Sequence, residues 1–273
     1  MNAQHTQSTM PAAGARGPAA RPRPEHAWKL ASLVLFFLLW EIAGRIPISL
    51  AFPPFSKVME ALWGLLASGK LLDAYGRTLV PLVIGLAITT VLGLACGTAM
   101  GLSRLAEWAL YPAIVIMQTA PMAAIIPLIT FVYGIGIAAK VTAVVILSMP
   151  MVVMNCYSGI RDTNASLLEM TRSFMGTRRQ QIFKIILPHA SGMIFAGLRL
   201  GISGGFIGIV LAELLITPTG IGDIISYYSS IGRYAEMFAA ILSIIVLATL
   251  VLTTLQIIER RVFTALGQRH SDK

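Results

Sequence analysis

Six apolar runs, at roughly residues 28–48, 78–102, 109–132, 140–157, 189–216 and 237–258, dominate this chain. Most approach the ~20 residues that a helix needs to cross a bilayer. A lipid interior leaves backbone N–H and C=O groups no water to bond, so runs of this kind become helices. Composition agrees. The chain is 56% hydrophobic and 12% charged, about half the charged share of a soluble domain, and the fold class expected is an all-α membrane protein with six transmembrane helices. Net charge is +9. In a soluble protein that would suggest nucleic acid, but here the basic residues flank the apolar runs, so no nucleic-acid partner is expected. Cys96 and Cys156 each lie within an apolar run and read as packing residues.

Basic residues set the expected orientation. Arg16, Arg21, Arg23 and Lys29 precede the first run, five basic residues separate runs four and five, and four follow run six. These segments are expected in the cytoplasm, with both termini inside. Arg45, Lys57, Lys70, Arg77, Lys140 and Arg233 then count to the outer side. Residues 1–27, rich in Ala, Pro, Gln and Arg, read as a disordered cytoplasmic arm. The first run is followed by Glu41, Arg45 and Pro47 rather than a small-residue cleavage site, so it reads as an uncleaved span. Residues 28–262 form the membrane domain and 263–273 a cytoplasmic tail.

One insert departs from the apolar pattern. In residues 164–188, NASLLEMTRSFMGTRRQQIFKIILP, Ser166 and Glu169 have the spacing of a capping box. Leu167, Met170, Thr171 and Phe174 recur at helical intervals, flanked by Glu169 and Arg172. Gly176 is expected to break this helix and permit a sharp turn. A second piece carrying Arg178, Arg179 and Lys184 is expected to stop at Pro188, where the next span begins. The implied shape is helix, break, helix at a membrane surface.

The same residues resemble the EAA loop of bacterial ABC-importer permeases, whose pattern is Glu-Ala-Ala, three residues, Gly, nine residues, Ile-x-Leu-Pro. Glu169, Ile185, Leu187 and Pro188 stand at the family spacing; Met170 and Thr171 replace the alanines, and the glycine slot falls on Met175, one residue before Gly176. The resemblance extends from Trp40 and Glu41 through Arg199 and Glu213 to Glu259, Arg260 and Arg261, and leans toward permeases for nitrate, sulfonates and taurine. It implies a type I importer permease in the bacterial inner membrane. The loop would be a cytoplasmic coupling helix, with Ser166, Leu167, Glu169, Met170, Arg172, Phe174, Gly176, Leu187 and Pro188 contacting a separate ATPase. It also implies two ATPase copies that use ATP and magnesium, an extracytoplasmic solute-binding protein and a second copy of the chain. No enzymatic activity or bound cofactor is expected in this chain. Import of a heterocyclic vitamin precursor is the alternative within the family; a membrane enzyme or a non-transporting scaffold is the alternative outside it.

Within the spans, Gly93, Gly97 and Gly101, and again Gly197, Gly201 and Gly205, make narrow faces for close helix approach. These suit ordinary packing and equally a gate or dimer face. Pro112, Pro121, Pro127 and Pro150 permit kinks in runs three and four. Arg199 and Glu213 are ionisable groups at membrane depth and must face protein or water. Fourteen residues apart on one helix, they are separated by about 21 Å at ~1.5 Å per residue, so each needs another partner. Arg199 suits either an anion path or carbonyls freed by prolines. Glu41 reads as an interfacial anchor beside Trp40. Residues 64–70, GLLASGK, mimic a phosphate loop, but Leu71 lacks the hydroxyl that would hold magnesium. The four histidines are scattered, and none of the serines has a nucleophile-elbow context.

Overall fold

The structure, a computed structural model, describes residues 25–46, 51–216 and 219–265. Most of the expected N-terminal arm and C-terminal tail lies outside these residues. The helices are α1 (Glu25–Arg45), α2 (Phe55–Ala67), α3 (Lys70–Leu102), α4 (Arg104–Thr119), α5 (Met122–Tyr133), α6 (Ile137–Arg161), α7 (Ala165–Ser173), α8 (Arg178–Gln181), α9 (Leu187–Leu215), α10 (Ile221–Ser230) and α11 (Tyr234–Ala265). A π turn, Ile182–Ile186, joins α8 to α9. No strand occurs among the described residues.

Among the described residues, four continuous helices are long and apolar enough to cross a membrane: α3, α6, the run Arg178–Leu215, and α11. A fifth is obtained only by counting α4 and α5 as one broken span. The expected six is not confirmed by these residues alone. The first expected span coincides with α1, whose 21 residues match the ~20 a bilayer needs. The third is not one helix: α4 and α5 meet at 112°. Pro121 causes the break, because it lacks an N–H and holds Ala120 in an extended conformation (ψ 135°). Pro81, Pro112, Pro127 and Pro150 lie inside helices that continue past them.

Helix α6 runs between α3 and α9, and glycine sets both contacts. A Cβ on Gly93, Gly97 or Gly101 of α3 would stand 2.9, 2.6 or 2.6 Å from Val152, Cys156 or Ile160 of α6. On α9, Gly197 and Gly201 would meet Asn155 and Val152 at 2.7 and 2.5 Å. Five of the six expected stripe positions thus pack against α6 within one chain. A Cβ on Gly205 would lie closest to Leu86 of α3, at 2.7 Å, with Val144 of α6 at 3.4 Å. Backbones this close exchange many dispersion contacts, the main attraction available where lipid is as apolar as the side chains. Cys156, fully buried at the α3 contact, is a free thiol.

Two short amphipathic helices, α2 and α10, pack at one end of the bundle, beside α3 and α11. Trp40 joins α1 to this end: its indole N–H donates to Pro53 O (3.2 Å), and its ring lies against Phe52, Phe55 and Phe238. Glu41 does more than anchor an interface. Its carboxylate accepts from the Ser56 N–H (2.8 Å) and hydroxyl (3.0 Å), at the start of α2, where an acidic group offsets the exposed N–H groups of a helix terminus.

Candidate functional site

The loop between α6 and α9 is built from the bundle outward. Helix α6 ends at Arg161, and Asn164 then caps α7 by accepting from the Ser166 N–H (3.0 Å). The expected Ser166–Glu169 box does not form. Only three residues link α6 to α7, so the helix begins ahead of Ser166, whose hydroxyl also donates to Asn164 (2.8 Å). Leu168 turns inward to Cys156, Ile160, Ile186 and Ala190. Glu169, Met170 and Arg172 are exposed and Leu167 is half-buried.

The turn after α7 falls one residue earlier than expected. Met175 adopts φ 53°, the left-handed conformation, while Gly176 does not. Gly176 N–H donates to Thr171 O and Met175 N–H to Arg172 O, both at 2.9 Å. That pair of bonds is a Schellman ending, which satisfies carbonyls left free at a helix C-terminus. The left-handed position is therefore the family's glycine slot, held here by methionine. Gly176 is required for space, since a Cβ there would lie 2.6 Å from Thr171 Cγ2.

A capping box does form farther on, between Thr177 and Gln180: Thr177 N–H donates to Gln180 Oε1 (2.8 Å) and Gln180 N–H to Thr177 Oγ1 (3.3 Å). Nor does Pro188 stop the second piece. The helix continues from Arg178 to Leu215 because the π turn Ile182–Ile186, closed by Leu187 N–H to Ile182 O, widens the backbone just ahead of Pro188 and absorbs its ring and missing donor. Leu187 and Pro188 are half-buried inside this helix. The apolar tip that results is in contact with little else: Phe174 is 81% exposed and Met175 92%, with Met170 and Phe183 also open.

The opposite end of the same two long helices is closed. Lys140 of α6, expected as an outer flanking charge, is 2% exposed, as is Glu213 of α9. Their Nζ and Oε1 atoms lie 2.8 Å apart. Lys140 also donates to the Thr219 hydroxyl (2.9 Å) and carbonyl (3.2 Å). The Thr78 hydroxyl of α3 donates to Glu213 (2.9 and 3.0 Å) and accepts from Ile221 N–H (3.0 Å). Gly222 N–H completes the set at Glu213 Oε2, 3.0 Å. Gly220 has φ +88°, and a Cβ there would lie 2.2 Å from Glu213 Oε1, so only glycine fits. Sequence alone singled out Glu213 but missed Lys140, Thr78 and Gly220; the repeated glycines in Gly220-Ile-Gly222 were the available signal.

Arg199 also has its partner on another helix. Its Nη1 donates to Glu259 of α11 at 2.8 Å, with Glu259 buried. Near the α7 end, Tyr157 and Arg161 of α6 hold Glu107 of α4, at 2.7 and 3.5 Å. At the α10 end, cavities of about 500 and 320 Å³ share Lys70 and Tyr228. Arg233 lies over the Tyr228 ring at 5.3 Å and donates to Glu236, which pushes its guanidinium pKa above the ordinary arginine value. No cluster of His, Cys, Asp and Glu suited to a metal occurs among the described residues.

Residues 89–264 match the family described as binding-protein-dependent transport system inner membrane component, more than half of the chain. A permease named for aliphatic sulfonates transport, SsuC of Bacillus subtilis (strain 168), is 26% identical over 93% of this chain and 94% of its own length. Formylaminopyrimidine transport permease ThiX of Halalkalibacterium halodurans is 29% identical over 75% and 85%. The taurine transport system permease TauC of Escherichia coli (strain K12) is 27% identical over 84% and 85%. In three dimensions, a chain from an inward-facing MetNI methionine ABC transporter superposes with a TM-score of 0.54 at 18% identity, covering 70% of this chain and 93% of that one. That likeness is one of fold.

Proposed function

The chain belongs to the family of binding-protein-dependent transport system inner membrane components, and from that premise we propose that two copies form the pathway of an ABC importer for a small sulfonate-type anion. Family membership makes the chain a multi-pass membrane permease subunit, with ATP hydrolysis performed by a partner ATPase. The sulfonate and taurine permeases among its relatives support an anionic solute. The formylaminopyrimidine relative favours a heterocyclic vitamin precursor as the second reading.

The observation that carries the coupling role is the tip of the α6–α9 loop, where Met170, Phe174 and Met175 are exposed beside Arg172 and Arg178. An apolar helix end of this kind fits a groove on a partner. The ATPase is that partner, on the cytoplasmic side, and closure of its dimer moves α6 and α9. Glu169 and Arg172 flank the contact. The α10 end then faces outward and receives the solute-binding protein. With Lys140 buried, one fewer basic residue counts to the outer side, which strengthens the charge asymmetry behind this orientation.

Two experiments test the reading. In intact cells, an impermeant thiol reagent should label cysteine at Ser229 and spare cysteine at Thr177; the reverse pattern overturns the orientation. Co-expressed with its ATPase and binding protein, the chain should show solute-dependent ATP hydrolysis. Co-purification without solute-dependent hydrolysis would make the chain a scaffold.

A further inference from the structure

Helices α6 and α9 flank the α7–α8 loop, and Lys140 and Glu213 lie at their far ends. From Lys140 to Arg161, α6 extends about 32 Å at ~1.5 Å per residue, most of a bilayer's thickness. Along that length α6 is seated on Gly197, Gly201, Gly204 and Gly208 of α9, where an added Cβ would meet α6 at 2.7, 2.5, 3.0 and 3.0 Å. The two helices are therefore fastened along their shared face and again, by an ion pair, at the end away from the loop.

What the ion pair holds is α10. The first two residues of that helix give their N–H groups to this cluster: Gly222 directly to Glu213, and Ile221 through the Thr78 hydroxyl. Lys140 takes Thr219, two residues ahead of the helix, through both its carbonyl and its hydroxyl. Side chains from α3, α6 and α9 thus converge on the N-terminus of α10. Tyr227 and Tyr228 of α10 in turn line the cavities at this end, together with Lys70, Arg77 and Arg233.

We propose that the Lys140–Glu213 pair is a clasp that makes α6, α9 and α10 move as one body, so that displacement of the α7–α8 loop reaches the cavities at the other end. Lys140, Glu213 and Thr78 are positioning residues in this scheme; none touches solute. A buried ion pair gives weak net stability compared with apolar residues of the same volume, and its use here is to fix one geometry. Its energetic reference is the open arrangement, in which the α10 N–H groups lose their acceptors.

The test uses the full chain, in lipid nanodiscs alone and with the co-expressed ATPase and binding protein. The double variant Lys140→Met/Glu213→Gln removes both charges together, so neither charge is left buried alone. Amide hydrogen exchange across residues 224–228 should rise at least tenfold, while residues 150–156 and 201–209 keep wild-type protection. In the complex, ATP hydrolysed per solute moved should rise at least threefold with the ATPase still bound. Unchanged exchange in α10 overturns the clasp. Faster exchange with an unchanged ATP-to-solute ratio also overturns it, since the pair would then be an ordinary structural tie. If the double variant does not accumulate, Thr78→Val, which deletes the hydroxyl that donates to Glu213 and accepts from Ile221 N–H, is judged by the same two measures. The second measure rests on the coupling role proposed above. If wild-type chain binds no ATPase, that role fails by itself and the exchange result alone decides the clasp.

Discussion

At one end of the α6 and α9 pair, a lysine and a glutamate lie out of solvent with their polar atoms bonded; at the other, a phenylalanine and two methionines are open to solvent. Ordinary burial is inverted at both places. Buried ionisable groups persist only when paired and hydrogen-bonded, and exposed clusters of large apolar groups mark a surface that another molecule covers. The Lys140–Glu213 cluster is therefore complete within the chain, and the α7 tip is completed by something else. Changes at the first should be felt as stability, and changes at the second as association.

The largest effect belongs to the closed end. Gly220→Val would place branched carbon at φ +88° and against the Glu213 carboxylate, a combined strain of roughly 3 kcal/mol or more. Membrane abundance and thermal unfolding of the purified chain should both fall sharply. A Gly220→Val chain that folds as well as wild type would remove the distinction between the ends.

An intermediate effect, of a different kind, belongs to the open end. Phe174→Ala should leave abundance and unfolding temperature at wild-type values while weakening ATPase binding by roughly 2 kcal/mol, about thirtyfold. Pull-down of the ATPase with measured chain abundance separates the two. Loss of abundance with normal ATPase binding would show that the tip supports the fold, contrary to its exposure.

The smallest effect sharpens the comparison within the loop. Met175→Gly relieves a left-handed non-glycine residue and should stabilise the α7 ending by about 1 kcal/mol. Amides at residues 174–176 should exchange about fivefold more slowly, and the Lys140 cluster should show no change. Equal or faster exchange would mean that the lost methionine side chain, not the backbone, governs the ending.

Much of the architecture is legible in the sequence because long apolar runs and an amphipathic insert leave a periodic signal. The short helices α2 and α10 are not, since both are shorter than a span and fall between the runs, where they read as loop. Lys140 is the instructive miss. A lysine at the end of an apolar run looks the same in sequence whether it snorkels to water or meets a carboxylate 73 residues away. The glycine stripes show the same limit: their spacing reveals a smooth face but not which helix lies against it. In the loop, the Ser166–Glu169 spacing pointed to the wrong cap, because the short link from Arg161 starts α7 ahead of Ser166 and Asn164 caps it. Pro188 failed as a stop signal because the π turn just before it widens the helix.

That π turn has a further consequence, for the counting of residues. Each i→i−5 bond encloses one residue more than the α-helical bond it replaces, so the stretch Ile182–Ile186 holds a spare residue. A chain one residue shorter there can close into ordinary α-helix with everything beyond it facing as before: Arg199 toward Glu259, Glu213 toward Lys140. The same loss anywhere between Ala190 and Leu198 would rotate both charges by about 100°, into glycine contacts or lipid. Variation in loop length can thus be absorbed at one turn, and the bundle beyond it need not be redesigned when the loop changes.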